Sequence, residues 1–293
     1  TSLNNLAVLY MLQGRYGEAE PLYKEGLQVC ERVLGKEHPH TLIALKNLAM
    51  LYQMQGRYGD AEPLYKEALQ LGEKVLGKEH PDTLVFLNNL AALYKSQGRY
   101  GEAEPLYKEA LQLREKVLGK EHPDTLTSLN NLAGLYHKQG RYGEAEPLYK
   151  EALQIKEQVL GKEHPSTLTS LNNLAGLYRA QGRYGEAEPL YKEFLQLCDQ
   201  ALGKYHPNTL TFLSNYIILL VNMEKPKTAF RLLKKMEDRL FSRSFQELYS
   251  TSEDRIRRLF LKNLSDFQDI SFSFAKKFPE NAHIRYATDV ALR

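Results

Sequence analysis

The sequence predicts an all-α superhelical solenoid built from antiparallel helix pairs, and three observations predict it. The same words return every 42 residues, so that a glycine before Arg-Tyr falls at Gly14, Gly56, Gly98, Gly140 and Gly182 and a loop histidine at His38, His80, His122, His164 and His206. Each period carries two apolar stripes with i, i+3, i+4 spacing. Each stripe ends on a glycine, the residue best able to take the left-handed conformation just past a helix. Self-similarity at this length marks a stack of supersecondary units, none of which closes a core alone.

The second complete unit shows the pattern. Its helix A is expected from about Thr83 to Ser96, with Leu84, Leu87, Leu90, Ala91 and Tyr94 on the buried stripe, and ends at Gly98. Helix B is expected from Tyr100 to Leu118, burying Ala103, Leu106, Tyr107, Ala110, Leu111 and Val117. Pro105 sits early in it, where a missing backbone donor is tolerated. Gly119 stops the helix, and Asp124 or Thr125 is the expected N-cap of the next one. Small residues alternate with large ones for a packing reason. Ala91 and Ala103 let the two helices approach, while Tyr94, Tyr100 and Tyr107 fill the space beside them.

The constellation Leu90-Ala91, Tyr94, Gly98, Tyr100, Ala103, Tyr107, Ala110-Leu111 resembles the tetratricopeptide repeat. The long period, the Leu-Asn-Asn-Leu-Ala opening and the Gly-Lys-Glu-His-Pro loop are most similar to the kinesin light chain subclass. The resemblance covers roughly residues 1–240. It implies a solenoid whose A helices line a concave groove that holds a peptide segment of a partner protein.

The organisation expected is a repeat array over 1–207, a degenerate terminal repeat over 208–241 and a helical cap or connector over 242–293. In the degenerate repeat Glu224 replaces the turn glycine and Pro226 the turn tyrosine, while Ala229 keeps the close-approach position. Terminal repeats are atypical because one side lacks a neighbour. Beyond it, Ser250 to Glu253 has capping-box spacing. Ile256, Leu259, Phe260, Leu264, Phe267, Ile270 and Phe274 form a helical stripe, Pro279 breaks it, and a last helix is expected over Asn281 to Arg293. The segment from Tyr249 to Arg293 resembles the connector between tetratricopeptide arrays and CHAT domains, the caspase-like protease domains of bacterial proteins. That resemblance places the protease after Arg293 and carries no catalytic residue onto this chain. Thr1 aligns with Thr127, already inside a helix A, so the sequence reads as a piece of a longer protein.

Composition narrows the function classes. A net charge of +3 over 293 residues gives no whole-molecule case for nucleic acid. The longest apolar run, Tyr216 to Val221, is too short for a bilayer. Cys30 and Cys198 occupy one position of two repeats four units apart. Stacked helices lie ~8–10 Å from one another and a disulfide needs Cα atoms within about 7 Å, so these are expected as free thiols of a cytoplasmic protein. The loop histidines should lie about a repeat apart, too far to share a metal, and are read as packing the loop before proline. Pairs such as Lys108-Glu109 read as a solvated helix face. Neither a nucleophile context for the cysteines nor a phosphate-cradling loop is present, so the expectation is a non-enzyme with no cofactor and no metal.

Comparing the repeats with each other locates candidate binding positions. Helix A positions that vary offer Val8, Met11, Leu12, Ile43, Met50 and Met54 in the first units, and Lys46, Lys95, His137, Lys138 and Arg179 further on, with Gly134 and Gly176 where large residues could stand. One polar position does not vary: Asn5, Asn47, Asn89, Asn131, Asn173 and Asn215 form a ladder. Asparagine is not a preferred mid-helix residue. Its amide suits either the backbone of an extended peptide, as the resemblance implies, or a bond between adjacent helices. The expected groove is therefore Asn47, Asn89, Asn131, Asn173, Met50, Met54, Lys95, His137, Lys138 and Arg179, facing a protein or peptide partner with apolar and acidic residues. The alternatives are an intramolecular module that controls its own C-terminal protease domain, and a structural spacer.

Overall fold

The computed structural model describes residues 2–201, 207–241, 269–270 and 276–277. The expected capping box at Ser250, most of the stripe from Ile256 to Phe274 and the last helix from Asn281 lie outside the described residues. Twelve helices make up the described chain: α1 (Ser2–Leu12), α2 (Tyr16–Leu34), α3 (Pro39–Met54), α4 (Tyr58–Val75), α5 (Pro81–Ser96), α6 (Tyr100–Leu118), α7 (Pro123–Lys138), α8 (Tyr142–Leu160), α9 (Pro165–Ala180), α10 (Tyr184–Ala201), α11 (Pro207–Asn222) and α12 (Pro226–Phe241). No strand occurs among the described residues. The chain divides into two compact units, Thr1–Leu148 and Tyr149–Arg293.

In the first unit α1 packs on α2, α3 on α4 and α5 on α6, and each second helix then packs on the next first helix. In the second unit α9 packs on α10, α10 on α11 and α11 on α12. Within each pair the contact runs through alanines without exposure: Ala49 and Ala61, Ala91 and Ala103. Tyr65 and Tyr107 fill the flanks at 1% exposure. Gly98 takes φ 76, and Arg99 N–H then donates to the Tyr94 carbonyl at 2.9 Å, closing the end of α5. At the corresponding turn after α11 Glu224 adopts φ 55 with the same closing bond, Lys225 N–H to the Leu220 carbonyl at 2.9 Å. The degenerate turn thus keeps the shape of the others at the steric cost of a Cβ in the left-handed region.

Helix A starts two residues earlier than expected, and its N-cap is the loop histidine rather than Asp124 or Thr125. His122 Nδ1 accepts from Asp124 N–H at 3.2 Å, His80 Nδ1 from Asp82 N–H at 3.2 Å and His164 Nδ1 from Ser166 N–H at 3.1 Å. The proline that follows occupies the first helical position, where its missing donor is one of the unpaired ones anyway. Thr125 is buried one turn further on, and its hydroxyl donates to the Gly119 carbonyl at 2.8 Å. Val117, expected on the buried stripe, is 41% exposed; Arg114 is buried in its stead.

That arginine belongs to a second pattern, in which each A helix meets the preceding B helix at two positions that change together. Gly72 faces Phe86, whose ring a Cβ on residue 72 would meet at 3.0 Å. Arg114 faces Ser128 and donates to its Oγ at 2.8 Å and to the Asp124 carbonyl at 2.9 Å. In the second unit Lys156 donates to Ser170 Oγ at 2.9 Å, and Cys198 clusters with Phe212 and Phe194. A large side chain on one helix is answered by a small one on the other, as close packing requires. Burial pushes the pKa of both Arg114 and Lys156 down, so their cations are retained at a desolvation cost that the serine and carbonyl bonds offset.

A third pattern ties neighbouring repeats at the surface. The Arg57 guanidinium lies 4.1 Å over the Tyr52 ring and pairs with Glu20 of α2 at 2.9 Å and Asp60 at 2.8 Å. Arg99 repeats this with Tyr94, Glu62 and Glu102, and Arg141 with Tyr136, Glu104 and Glu144. The clamp persists into the degenerate repeat, where Lys225 pairs with Glu188 at 2.6 Å. Lys277 also reaches this region and donates to the Val221 carbonyl at 2.8 Å.

The clamp makes stability pH-dependent in a definite direction. Arg99 and Lys66 hold the Glu62 carboxyl at about 2, and Arg141 does the same for Glu104. A carboxylate whose folded pKa is depressed contributes stability that is complete above its unfolded value, about 4.5, and is lost as pH falls toward about 2. The urea midpoint is therefore expected to fall across that window, and less steeply in Arg99→Met. An identical slope in wild type and variant contradicts the assignment.

Candidate binding site

The A helices adjoin one another directly, α5 against α7 in the first unit and α9 against α11 in the second, and the asparagine ladder lies along these contacts. Asn47 Nδ2 donates to Asn4 Oδ1 at 2.7 Å and Asn131 Nδ2 to Asn88 Oδ1 at 3.0 Å. In the second unit Asn215 Nδ2 donates to Asn172 Oδ1 at 3.4 Å. The ladder residue of one A helix thus donates to the residue just before the ladder position on the preceding A helix. The signal was in the sequence, since Asn4, Asn88 and Asn172 each precede a ladder asparagine. Asn47 is buried at 6% exposure, whereas Asn89, Asn131 and Asn173 are half-buried. One donor used in packing leaves a primary amide with a second N–H and a carbonyl for other partners.

Of the apolar candidates, Met50 and Met54 come together with Asn89 in one open hollow of about 450 Å³ between α3, α4 and α5. Gln53, Tyr58, Tyr65 and Ser96 complete its walls. The sequence comparison did not single these four out; Tyr58 and Tyr65 recur in each of the five close repeats and read as packing. Tyr65 does both jobs: its ring is core and its hydroxyl donates to Gln53 Oε1 at 3.1 Å. Met54 is 48% exposed at the rim, a flexible apolar side chain of the kind that adapts to varied ligands. Met11 departs from expectation. It is buried at 5% exposure and its sulfur accepts from the Tyr23 hydroxyl at 3.8 Å, so it is core.

Two basic candidates of the first unit, Lys95 and Lys138, also come together. Lys95 on α5 is half-buried, and its pKa is lowered first by burial and then by the like charge of Lys138, which is exposed on α7. Lys46, half-buried on α3, is lowered by burial against a raising influence from Asp82. His137 is half-buried with its ring edge-on to Tyr142 at 5.8 Å. Arg179 and Asn173 hold the equivalent helix positions in the second unit, both half-buried, and a Cβ on Gly176 beside them would meet open space. A cation that is both desolvated and repelled has a standing preference for an anionic group.

Among the described residues no group of three or more His, Cys, Asp or Glu is placed to hold a metal ion, and no helix is long and apolar enough to cross a membrane. Cys30 is half-buried, Cys198 is buried, and both are free thiols.

Stacked helix pairs with a polar ladder along one helix face define a helical-repeat scaffold. The chain belongs to the tetratricopeptide repeat family, a family of protein–protein interaction scaffolds, which matches residues 1–74, 50–116, 82–158, 124–196 and 166–239. It is similar to the structure of a putative kinesin light chain of Podosopora anserina with nearly identical TPR-like repeats, at 32% identity and TM-score 0.60, over 68% of this chain and 94% of that one. The structure of BtubC (BKLC) from P. vanneervenii aligns with TM-score 0.66 at 20% identity, over 82% of this chain and 94% of that one. That of a Rap protein complexed with Competence and Sporulation Factor aligns with TM-score 0.55 at 15% identity, over 98% and 85%. No curated protein sequence matches the chain.

The lysine pair gives a direct test of the site's electrostatics. Lys138→Gln removes the like charge and is expected to raise the Lys95 pKa part of the way toward its ordinary value, burial accounting for the remainder. Side-chain NMR titration of the lysine ε position reads this, and an unmoved Lys95 contradicts the proximity.

Proposed function

We propose that this protein is a peptide-binding scaffold whose A-helix face takes an extended or short helical segment, apolar at one end and acidic at the other. The observation that carries the reading is the set of environments across α3, α5 and α7: an open methionine-rimmed hollow that includes the half-buried Asn89, and beside Ser96 of that hollow a lysine, Lys95, that Lys138 repels and that an acidic ligand would relieve. Met50 and Met54 take the apolar anchor, Asn89 and Asn131 grip backbone, and Lys95 and Lys138 meet carboxylates. His137 borders the lysines. Arg179 and Asn173 extend the same chemistry in the second unit. The Rap protein complexed with Competence and Sporulation Factor shows that a related architecture can be found with a bound partner. Charge pairs of this kind set orientation and on-rate more than affinity, so binding weakens as salt rises.

Selection of random twelve-residue peptides on phage tests the reading. Enrichment of peptides that combine apolar with Asp or Glu residues is expected, with binding lost in Lys95→Glu plus Lys138→Glu and reduced in Met54→Ser. Asn131→Ala should lose affinity too, and also about 1 kcal/mol of stability because its bond to Asn88 goes. Peptides that bind both the charge-reversed and the Met54 variant unchanged overturn the site. The resemblance of Tyr249 to Arg293 to a CHAT connector motivates a second reading, in which the array regulates a CHAT-type cysteine protease encoded downstream. The coding sequence after Arg293 decides it, and an unrelated domain there sinks it.

A further inference from the structure

Four wall positions of the methionine hollow return three repeats on, inside the second unit. Gly176, Arg179, Tyr191 and Asn215 stand where Met50, Gln53, Tyr65 and Asn89 stand. The exchange at Gln53 matters most, because this position answers the buried tyrosine of helix B. The Tyr65 hydroxyl donates to Gln53 Oε1 at 3.1 Å, and one repeat earlier the Tyr23 hydroxyl donates to the sulfur of Met11, which holds the same position, at 3.8 Å. Arg179 carries donors only and cannot accept. The Tyr191 hydroxyl is accordingly buried with no hydrogen-bond partner among the described residues, on a side chain 1% exposed. Its ring stacks on Tyr216, with 5.9 Å between centroids and 10° between planes, so the hydroxyl is held in place. Burial raises the Tyr191 pKa and Arg179 opposes the rise, which puts the guanidinium within electrostatic reach. Asn215 uses one N–H on Asn172 Oδ1 at 3.4 Å and has a second to give. At Gly176 a Cβ would meet nothing within 4 Å, so the space that the Met50 side chain takes in the first unit is open here.

We propose that Arg179, Tyr191 and Asn215 form a carboxylate subsite in the second unit, filled by an acidic group of the bound segment. The source of that group rests on the peptide-binding reading above, whereas its chemistry rests on these residues alone. All three offer donors and none of the donors named is matched by an acceptor, so the missing partner is an acceptor. A buried donor left unpaired costs free energy, and a ligand oxygen that reaches it recovers that cost only on binding. The two oxygens of a carboxylate serve the phenol and the guanidinium together. One cation also matches one negative charge, and a phosphate dianion would bring a second that these three groups do not offset.

The test titrates the full chain with N-acetylglutamate N-methylamide, its glutamine analogue, N-acetylalanine and methyl phosphate, and follows the Arg179 Nε–H and the Tyr191 ring by NMR. Saturable shifts with the carboxylates and none with the glutamine analogue are expected. Preference for the glutamate compound assigns the group to a side chain, and preference for N-acetylalanine assigns it to a chain terminus. Tyr191→Phe is expected to weaken the acid at least threefold without lowering the melting temperature, because no bond is lost, whereas Tyr65→Phe lowers it. Arg179→Gln, which copies the Gln53–Tyr65 pair, is expected to abolish the shifts at Tyr191 while the melting temperature holds or rises. Three results overturn the proposal: a melting temperature lowered as far in Tyr191→Phe as in Tyr65→Phe, acid binding unchanged in Arg179→Gln, or methyl phosphate or the glutamine analogue bound as tightly as the acid. Failure of the peptide selection with these shifts intact removes the peptide-binding reading and leaves the subsite. Selected peptides that bind equally to wild type and Arg179→Gln remove the subsite and leave that reading.

Discussion

A single helix pair of this chain cannot bury its own apolar surface, and everything else follows from the way one pair closes on the next. Leu84, Leu90 and Tyr94 on a helix A and Ala110 and Leu111 on a helix B are buried within the stack. The junction is therefore where packing, polar bonds and charge are concentrated. Alanines set the distance, the paired positions set the fit, the asparagines join A helix to A helix, and the arginine clamp closes the surface. A fully buried phenylalanine is worth roughly 1.5–3 kcal/mol, so the paired positions outweigh any one exposed ion pair of the clamp, which contributes at most about 1 kcal/mol.

That division of labour explains why the proposed binding face can lie on the A helices. The alanines and tyrosines that set the helix spacing recur at fixed intervals and the paired junction positions change only together, while the outward positions of the A helices vary singly and hold Met50, Met54, Lys95 and Lys138. Rigid helices hold these side chains in a fixed order, which favours recognition of a segment with a matching order of chemistries. The ladder serves packing directly and is available to the proposed site through its spare amide groups. Its bonds to Asn4, Asn88 and Asn172 hold neighbouring A helices in register, and the half-buried Asn89 lines the same hollow as Met50 and Met54.

Much of this was legible in the sequence, because the repeat supplies its own comparison. Gly98, Ala91, Ala103, Tyr94 and Tyr107 recur at fixed spacing, and their roles as turn, close approach and filler follow from size and backbone freedom. The histidine cap was not, since histidine is not among the preferred N-cap residues and its Nδ1 acceptor role depends on a tautomer that a sequence does not display. Arg114 and Lys156 read as surface charges until the serine opposite each is seen. Val117 and Met11 were misplaced because a stripe one residue wide does not tell which edge of it the neighbouring helix covers. Of the site, Met50, Met54 and Lys95 were visible as unusual residues at variable positions, whereas Gln53, Tyr58 and Ser96 became visible only when three helices met.

The claim on which the account turns is that junctions are matched pairs of positions, and exchanging one pair tests it most directly. Gly72→Arg alone places a side chain where the Phe86 ring lies 3.0 Å from the new Cβ, and Phe86→Ser alone empties a core cluster at a cost of about 3–5 kcal/mol. Together they recreate the Arg114–Ser128 pairing at the α4–α5 junction. Urea denaturation of the four proteins should give a coupling of about 2 kcal/mol or more in favour of the double variant. Additive losses to within about 0.5 kcal/mol would contradict the matched-junction account.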